Sequence, residues 1–556
     1  MILRDSIRHH RRPLAAAAVL MCGHQAGEAL VPVLVGVVID AAVGTGDAVA
    51  LLFWLAVLGL DFAFLSSCYR FGARRAWFAD VRADQRLRHL VADRVLDAGG
   101  GAEAARLPGE LTSIAVADAK RVGVSHFALP AGLAALAALI VAAVSLLRIS
   151  LPLGLLILLG TPPLLYLLHL LGTPIERRSA REQEHAAAAS GTAADLVAGV
   201  RVLKGIGAEP AAVARYTSSS RDALGATLRA TGAQARYSGA VLTANGLFLA
   251  LVALVGGRLA ADGAISVGGL VAAVGLAQFL LGPLETFGRV NARLAQARAS
   301  AARIAEVLST PTAVTGGPVP LPADGPGRLT IRGLRHGPLG RDDGFDLDLA
   351  PGEIVGLTTT DPAVGTALLA CLGREAEPAA GVVRLDGVEL GGAAPAAVRA
   401  RLLVAAHDAR LFAGTVQDNV LAGRPAADVD GALRAAAADQ VVEVLPAGLD
   451  TRIAEQGSSL SGGQRQRVAL ARALAADAPV LVLHDPTTAV DSVTEARIAT
   501  GIAALRAART TLVLTTSPAL LAATDRVVLL DGARRVEGSH AGLLATEPAY
   551  RELVAA

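Results

Sequence analysis

Leu460-Ser461-Gly462-Gly463-Gln464-Arg465-Gln466-Arg467-Val468-Ala469-Leu470 sets one hydroxyl and two glycines ahead of a run rich in arginine and aliphatic residues. Backbone N–H groups at a helix start, left open by glycine, favour an anion. Just downstream, Val480–Leu483 reads as a short apolar strand, followed by the polar pair His484-Asp485. Outward from this pair, short apolar strands alternate with helices from residue 328 onward, the pattern of an α/β domain. The other strand candidates are Gly352–Leu357, Arg401–Ala406, Thr511–Thr515 and Val527–Leu530. This half contains no lysine; the lysines of the chain are Lys120 and Lys204.

The N-terminal half is of another kind. A length of 556 residues allows about two to four domains. Hydrophobic residues make up 53% of the chain, and the long apolar runs lie before about residue 285. Runs long enough for a bilayer, about 20 residues, cover roughly 14–42, 49–70, 127–147, 150–172, 238–260 and 265–285. Arg4, Arg8, Arg11 and Arg12 precede the first run. That run is too long for a signal peptide and lacks a small-residue cleavage site, so it reads as a retained first span. The turn Gly44-Thr45-Gly46-Asp47 carries no basic residue. The second-to-third connection carries Arg70, Arg74, Arg75, Arg82, Arg86, Arg88 and Arg94; the fourth-to-fifth carries Arg177, Arg178, Arg181, Arg201, Lys204 and Arg215. Both therefore read as cytoplasmic, and as helices continuing beyond the bilayer.

Residues 286–310 read as an amphipathic helix leaving the membrane, and Pro311 to Gly327 as a linker. The expected division is thus a membrane domain over 1–310, a linker over 311–327 and an α/β domain over 328–556. Net charge is +2, which implies no attraction to nucleic acid. Cys22, Cys68 and Cys371 are too few and scattered for a disulfide framework or metal site. Abundant alanine, with arginine in place of lysine, reads as the codon bias of a GC-rich, bacterial genome.

Leu460 to Leu474, LSGGQRQRVALARAL, resembles the signature of ATP-binding-cassette (ABC) ATPases, and the whole chain resembles an exporter-type half-transporter. The resemblance implies that Ser461, Gly462, Gly463 and Gln464 meet ATP held by the P-loop of an opposite domain. Val480 to Asp491 looks like the Walker B strand and D-loop of that family, with Asp491 in the D-loop. His484 stands where an aspartate supports Mg²⁺, and Asp485 where a glutamate polarises water. Aspartate is one methylene shorter, and a displacement of that size costs orders of magnitude in rate. The P-loop pattern G-x-x-G-x-G-K-S/T falls on Thr359 to Thr366. Its glycines become Thr359, Pro362 and Val364, its lysine becomes Gly365, and Thr366 survives as a weak Mg²⁺ ligand. Pro362 has no N–H, and Asp361 places a negative charge toward the triphosphate. The expected glutamine and histidine fall at His407 and Thr516, and the adenine-stacking tyrosine is missing near His336-Gly337-Pro338.

A P-loop needs its lysine. The implied reading is a catalytically degenerate nucleotide site beside an intact signature, in one subunit of a heterodimeric transporter. Its partner would be a different half-transporter with an intact P-loop and glutamate, with ATP and Mg²⁺ mainly at the shared site. The implied location is the bacterial inner membrane, multi-pass, with the N-terminus and ATPase domain cytoplasmic, moving a small molecule, lipid or peptide. Alternatives are an exporter-fold importer of a siderophore-like compound and a non-hydrolysing receptor or regulator. A soluble family member acting in DNA repair or translation is excluded by the apolar spans.

Gly109–Ser113 through Asp118–Val122 resembles the first coupling segment of such transporters, Asp195–Glu209 the second, and Ser300–Leu308 the junction after the last span. Candidate substrate residues are His24 and Glu28, which share a helix face, with Asp61 and Glu285. Ionisable groups at membrane depth are costly and mark function; these suggest a weakly acidic cavity for cationic amphiphiles, or else hydrogen bonding between helices. Asp40 reads as solvated.

Overall fold

The computed structural model describes residues 2–104, 106–340, 343–407, 410–422, 428–532 and 534–555. The side chain of Arg177, and Asp408 and Ala409 after His407, lie outside the described residues. Contacts divide the chain into two compact units, Met1–Val91 with Thr112–Glu306, and Ala92–Leu111 with Val307–Ala556. The packing thus places residues 92–111 in the second unit, although they precede the third apolar run.

In the first unit the apolar runs become α1 (Arg11–Val43), α2 (Ala48–Val95), α3 (Pro108–Ile149), α4 (Leu151–Ala198), α5 (Glu209–Ala261) and α6 (Val267–Ser309). Among the described residues these are the six helices apolar and long enough to cross a membrane. At 48 residues, α2 is roughly 72 Å long, well beyond a bilayer core of about 30 Å. The expected extensions of the membrane helices are therefore present.

Lipid-facing helices gain little from the hydrophobic effect between themselves and associate through close backbone packing. Gly36 of α1 and Gly268 of α6 face each other where a side chain would meet backbone. A Cβ on Gly275 would lie 2.8 Å from Cβ of Pro32. Asp40 completes this seam: its carboxylate accepts from Gly268 N–H at 2.8 Å and from Ser266 Oγ at 2.5 Å. Asp40 is exposed, as the sequence reading had it, and the structure adds these two hydrogen bonds. The unpaired N–H groups at the start of α6 draw in the carboxylate.

Asp118 is fully buried and accepts from Ser300 Oγ at 2.8 Å, Arg303 Nη2 at 2.5 Å and Arg121 Nη1 at 3.1 Å. Two stretches singled out in the sequence, 118–122 and 300–308, are thereby joined.

The second unit has two main sheets. β1 (Leu329–Arg335), β2 (Phe345–Leu349), β4 (Ala380–Leu385) and β5 (Val388–Glu389) form an antiparallel sheet in the order β2-β1-β4-β5. The central sheet contains β3 (Ile354–Thr359), β6 (Leu402–Ala405), β9 (Val480–His484), β10 (Thr510–Leu514), β11 (Arg526–Asp531) and β12 (Arg534–Gly538), in the order β12-β11-β3-β10-β9-β6. Its strands are parallel except β12. The small pair β7 (Gly414–Thr415) and β8 (Arg452–Ile453) stands apart. The five expected strands are the five parallel ones, since strands covered on both faces read as continuous apolar runs.

Three helices matter for the site: α7 (Pro362–Leu372), α8 (Gly462–Ala475) and α9 (Ser492–Leu505). Arg506, just after α9, is an interior arginine whose pKa burial pushes down to about 10. It stays charged at neutral pH and donates to Ala478 O at 2.8 Å, Thr510 O at 3.0 Å and Thr511 Oγ1 at 3.1 Å. Residues 92–111 join this unit through backbone contacts: Arg399 Nη1 donates to Ala98 O at 2.8 Å, and Val314 N–H to Gly99 O at 3.1 Å. Gly101, at φ +93°, passes so close to Pro311 O that no Cβ fits.

Candidate functional site

Parallel α/β sheets place their functional loops at the carboxyl ends of the strands. β3, β9 and β10 end side by side, with Leu514 of β10 level with Leu357 of β3 and His484 of β9. The segments after these strands carry Gly365, Thr366, Asp485, Asp491 and Thr516, while His407 follows β6 and the signature residues open α8 ahead of β9.

Ser461 is the N-cap of α8: its Oγ accepts from Gln464 N–H at 3.3 Å, while Gln464 Oε1 accepts from Ser461 N–H at 2.9 Å. This reciprocal box holds the helix start in place and leaves Ser461 and Gly462 exposed. A Cβ on Gly463 would sit 2.6 Å from Ala489 O, so glycine is required there by the loop after β9. Gln466, buried one turn on, was not singled out in the sequence. It accepts from Ala489 N–H at 2.8 Å and donates to Asp485 O at 3.1 Å and Thr488 Oγ1 at 3.0 Å. A lone polar residue on the inner face of a helix was the available signal. Asp491 caps α9 through Val493 N–H, Thr494 N–H and Thr494 Oγ1. The Thr494 backbone bond chiefly holds its carboxyl below the usual carboxylate value.

The end of β3 is built differently. α7 begins at Pro362, inside the stretch that an open phosphate loop would occupy. Asp361 caps it, accepting from Ala363 N–H at 2.9 Å, while Val364 N–H donates to Asp361 O at 3.0 Å. Thr366 Oγ1 donates to Pro362 O at 3.1 Å. Gly365 faces inward, and a Cβ there would lie 2.9 Å from Leu514 Cδ2. The position aligned with the lysine thus points at the sheet core in this helical register. Thr366, the candidate Mg²⁺ ligand, is exposed, and its hydroxyl proton is spent on a carbonyl inside the helix.

His484 and His407 lie with ring centroids 5.8 Å apart, and His484 Nε2 is 3.7 Å from Asp485 Oδ2. Burial lowers the His484 pKa most; Asp485 acts against this and His407 with it. A cavity of about 320 Å³ beside them is also lined by Gln466 and Arg472. Thr516 is exposed after β10, apart from these groups in the hydrogen-bond network.

In the first unit the four candidate substrate residues do not converge. His24 lines a cavity of about 330 Å³ with Gln25, Tyr69, Thr286, Arg289 and Arg293. Glu28 accepts a hydrogen bond from Gln25 and lies 3.7 Å from His24 Nε2. Asp61 packs beside Gly27, and exposed Glu285 does not line the cavity. The charged side chains lining this cavity are Arg289 and Arg293, and the three acidic candidates are not among its lining residues. Arg289 and Arg293, four residues apart, share one helix face; Glu285 lies on that face one turn earlier and is not among the residues lining the cavity.

Two family models match this chain: the ABC transporter transmembrane region over residues 14–284, and the ABC transporter model over residues 343–488. The chain belongs to the ABC transporters. An ATP-dependent lipid A-core flippase of Burkholderia pseudomallei is 34% identical over 373 residues, 65% of this chain and 62% of that protein. A multidrug efflux ATP-binding/permease protein of Mycobacterium tuberculosis is 32% identical over 416 residues, 73% of this chain and 35% of the relative. The chain thus spans 62% of the length of the flippase. Among solved structures, a bacterial Atm1-family ABC exporter with ATP bound matches at a TM-score of 0.74 and 24% identity, covering 98% of each chain. The ABC exporter fold, six membrane helices followed by an ATPase domain, is therefore that of this chain.

Proposed function

We propose that this ABC transporter chain is the degenerate-site half of a heterodimeric, ATP-driven exporter of the bacterial inner membrane. Its ATPase domain would supply Ser461, Gly462, Gly463 and Gln464 to ATP held by the P-loop of a different half-transporter, and would not hydrolyse ATP at its own P-loop. The observation that carries this reading is the contrast between two helix starts: α8 exposes Ser461 and glycine N–H groups, while α7 is closed by Asp361 and Pro362. A homodimer would contain two closed P-loops and no working one. The exposed apolar side chains of Val197, Val200, Val202 and Ile206, in the stretch resembling the second coupling segment, also support a partner subunit.

The test is ATPase activity in nanodiscs of this chain alone, of the chain with the half-transporter encoded beside it, and of that pair with Ser461→Arg. Turnover by the pair only, reduced about a hundredfold or more by Ser461→Arg, is expected. Magnesium-dependent turnover by the chain alone overturns the reading.

The substrate we infer is an amphiphile with an anionic headgroup. Arg289 and Arg293, with His24 and Tyr69, line the one cavity described above in the first unit, and guanidinium groups suit phosphate or carboxylate oxygens. The names of the flippase and multidrug relatives are compatible with such a cargo. Stimulation of the pair's ATPase by anionic over cationic amphiphiles, lost in Arg289→Ala/Arg293→Ala, is the expected result. Equal stimulation by both classes counts against it.

A further inference from the structure

The cavity of about 320 Å³ in the ATPase unit carries a single permanent charge on its wall, that of Arg472. It lies between the ends of β6 and β9 and the C-terminal half of α8. Leu403, Val404, Leu421, Ala469, Leu470 and Leu483 make most of it aliphatic. The polar side chains on it are Arg472, His407, His484 and Gln466, with no carboxylate among the lining residues. No residue of 359–366 or of 460–464 lines it, so it is separate from both helix starts described above.

Arg472 lacks an answering group within the chain. Its Nη1 is shut off from water and has no hydrogen-bond partner among the described residues. Burial pushes its pKa down, yet a guanidinium stays charged at neutral pH. A buried cation without a partner is costly. The Phe412 ring supports the guanidinium, whose carbon lies 5.9 Å from the ring centroid, but a ring face cannot take up its fork of N–H groups. Gln466 offers nothing further, because its amide hydrogens and oxygen are engaged with Asp485 O, Thr488 Oγ1 and Ala489 N–H. Burial lowers the His484 pKa, so that ring is neutral at neutral pH and adds no second charge.

We propose that this cavity binds a small monocarboxylate with an apolar body, its oxygens on the Arg472 guanidinium and its body against the aliphatic wall. The guanidinium fork matches a carboxylate in a bidentate pair. One fixed positive charge balances one negative charge; a phosphate dianion brings a second charge with nothing to meet it. Sites for small molecules are mostly apolar with a few placed polar groups, and this volume is at the low end of their range of about 300–1,000 Å³. His407 and Ala422 on the lining are exposed, so the cavity is reached from solvent. The site lies within one ATPase unit and does not depend on the heterodimer reading.

The test uses the full chain in nanodiscs, with Arg289→Ala/Arg293→Ala as the background so that the membrane cavity does not contribute. Hexanoate binding is followed by calorimetry and ligand-observed NMR, with empty nanodiscs as the blank. One equivalent of hexanoate is expected, with hexanol and inorganic phosphate each at least about tenfold weaker. Arg472→Met keeps the apolar stem beside Phe412, and Ala469→Phe fills the cavity while leaving the guanidinium. Each should weaken hexanoate at least about tenfold. The two changes act on different parts of the site, so a folding defect in one leaves the other to decide. No hexanoate binding, wild-type hexanoate affinity in Arg472→Met, or phosphate or hexanol binding as tightly as hexanoate overturns the proposal.

Discussion

Two helices of the ATPase unit begin at loops that follow or flank the central strands, and both are capped by their own side chains. At α8 the cap is a neutral hydroxyl, Ser461, followed by two glycines, Gly462 exposed and Gly463 half-buried against Ala489 O. At α7 the cap is a carboxylate, Asp361, followed by a proline with no N–H and a residue whose N–H is already bonded to that carboxylate. The first helix start remains open to an external anion; the second carries its anion with it. A helix dipole is therefore not a binding site by itself. The chemistry of the cap decides whether the partial positive charge is offered outward or neutralised within the chain.

The sharpest way to break this comparison is to exchange function while matching stability. Ser461→Ala and Asp361→Ala each remove one cap and should each cost about 0.5–2 kcal/mol in the melting of the ATPase unit. The turnover of the transporter pair should nevertheless fall about a hundredfold with Ser461→Ala and stay near wild type with Asp361→Ala. Comparable loss of turnover from both would erase the distinction. Restoring the missing lysine alone, Gly365→Lys, should not create nucleotide binding, because the side chain starts against Leu514 rather than toward the strand ends. Overpacking there costs about 1–3 kcal/mol, read as a lower unfolding midpoint with no gain in binding of a fluorescent ATP analogue. A gain would show that α7 unwinds readily and that the closed start is not fixed.

The smallest expected effect is a pH dependence. Burial places the folded-state pKa of His484 below its ordinary value of about 6.5. The unfolded chain then binds more protons in the window just below that value, so stability is lost as the pH falls through it. His484→Asn should flatten this part of the melting profile without changing the neutral-pH plateau. A midpoint that rises on acidification would contradict the burial of a neutral ring.

Much of this was legible in the chain itself. Six apolar runs specified six helices because a bilayer demands length and composition and little else. The five parallel strands were readable for the same reason: a strand covered on both faces must be apolar throughout. The strands β1, β2, β4 and β12 were not read, since their alternation of buried and exposed residues is short and is broken by arginines and aspartates. The loss of the lysine was certain from the sequence, yet the form of the loss was not. Only the structure shows that residues 362–366 are helix and that Gly365 turns inward. Asp40 and Glu285 illustrate the same limit in the membrane unit. Each is a charged residue near an apolar run; one closes a helix end, and the other stays outside the cavity.

What the sequence determined by itself is the class of molecule, the order of its two halves, the intact signature and the absence of a P-loop lysine. These depend on residue identity and local periodicity, which are properties of short segments. Tertiary structure decided which N–H groups remain available, that Gln466 joins the signature helix to the loop after β9, and that arginines line the cavity beside His24. It also decided that residues 92–111 pack with the ATPase half. Those features depend on helical phase and on which distant backbone atoms come within hydrogen-bond reach, and neither is encoded in any single stretch of the chain.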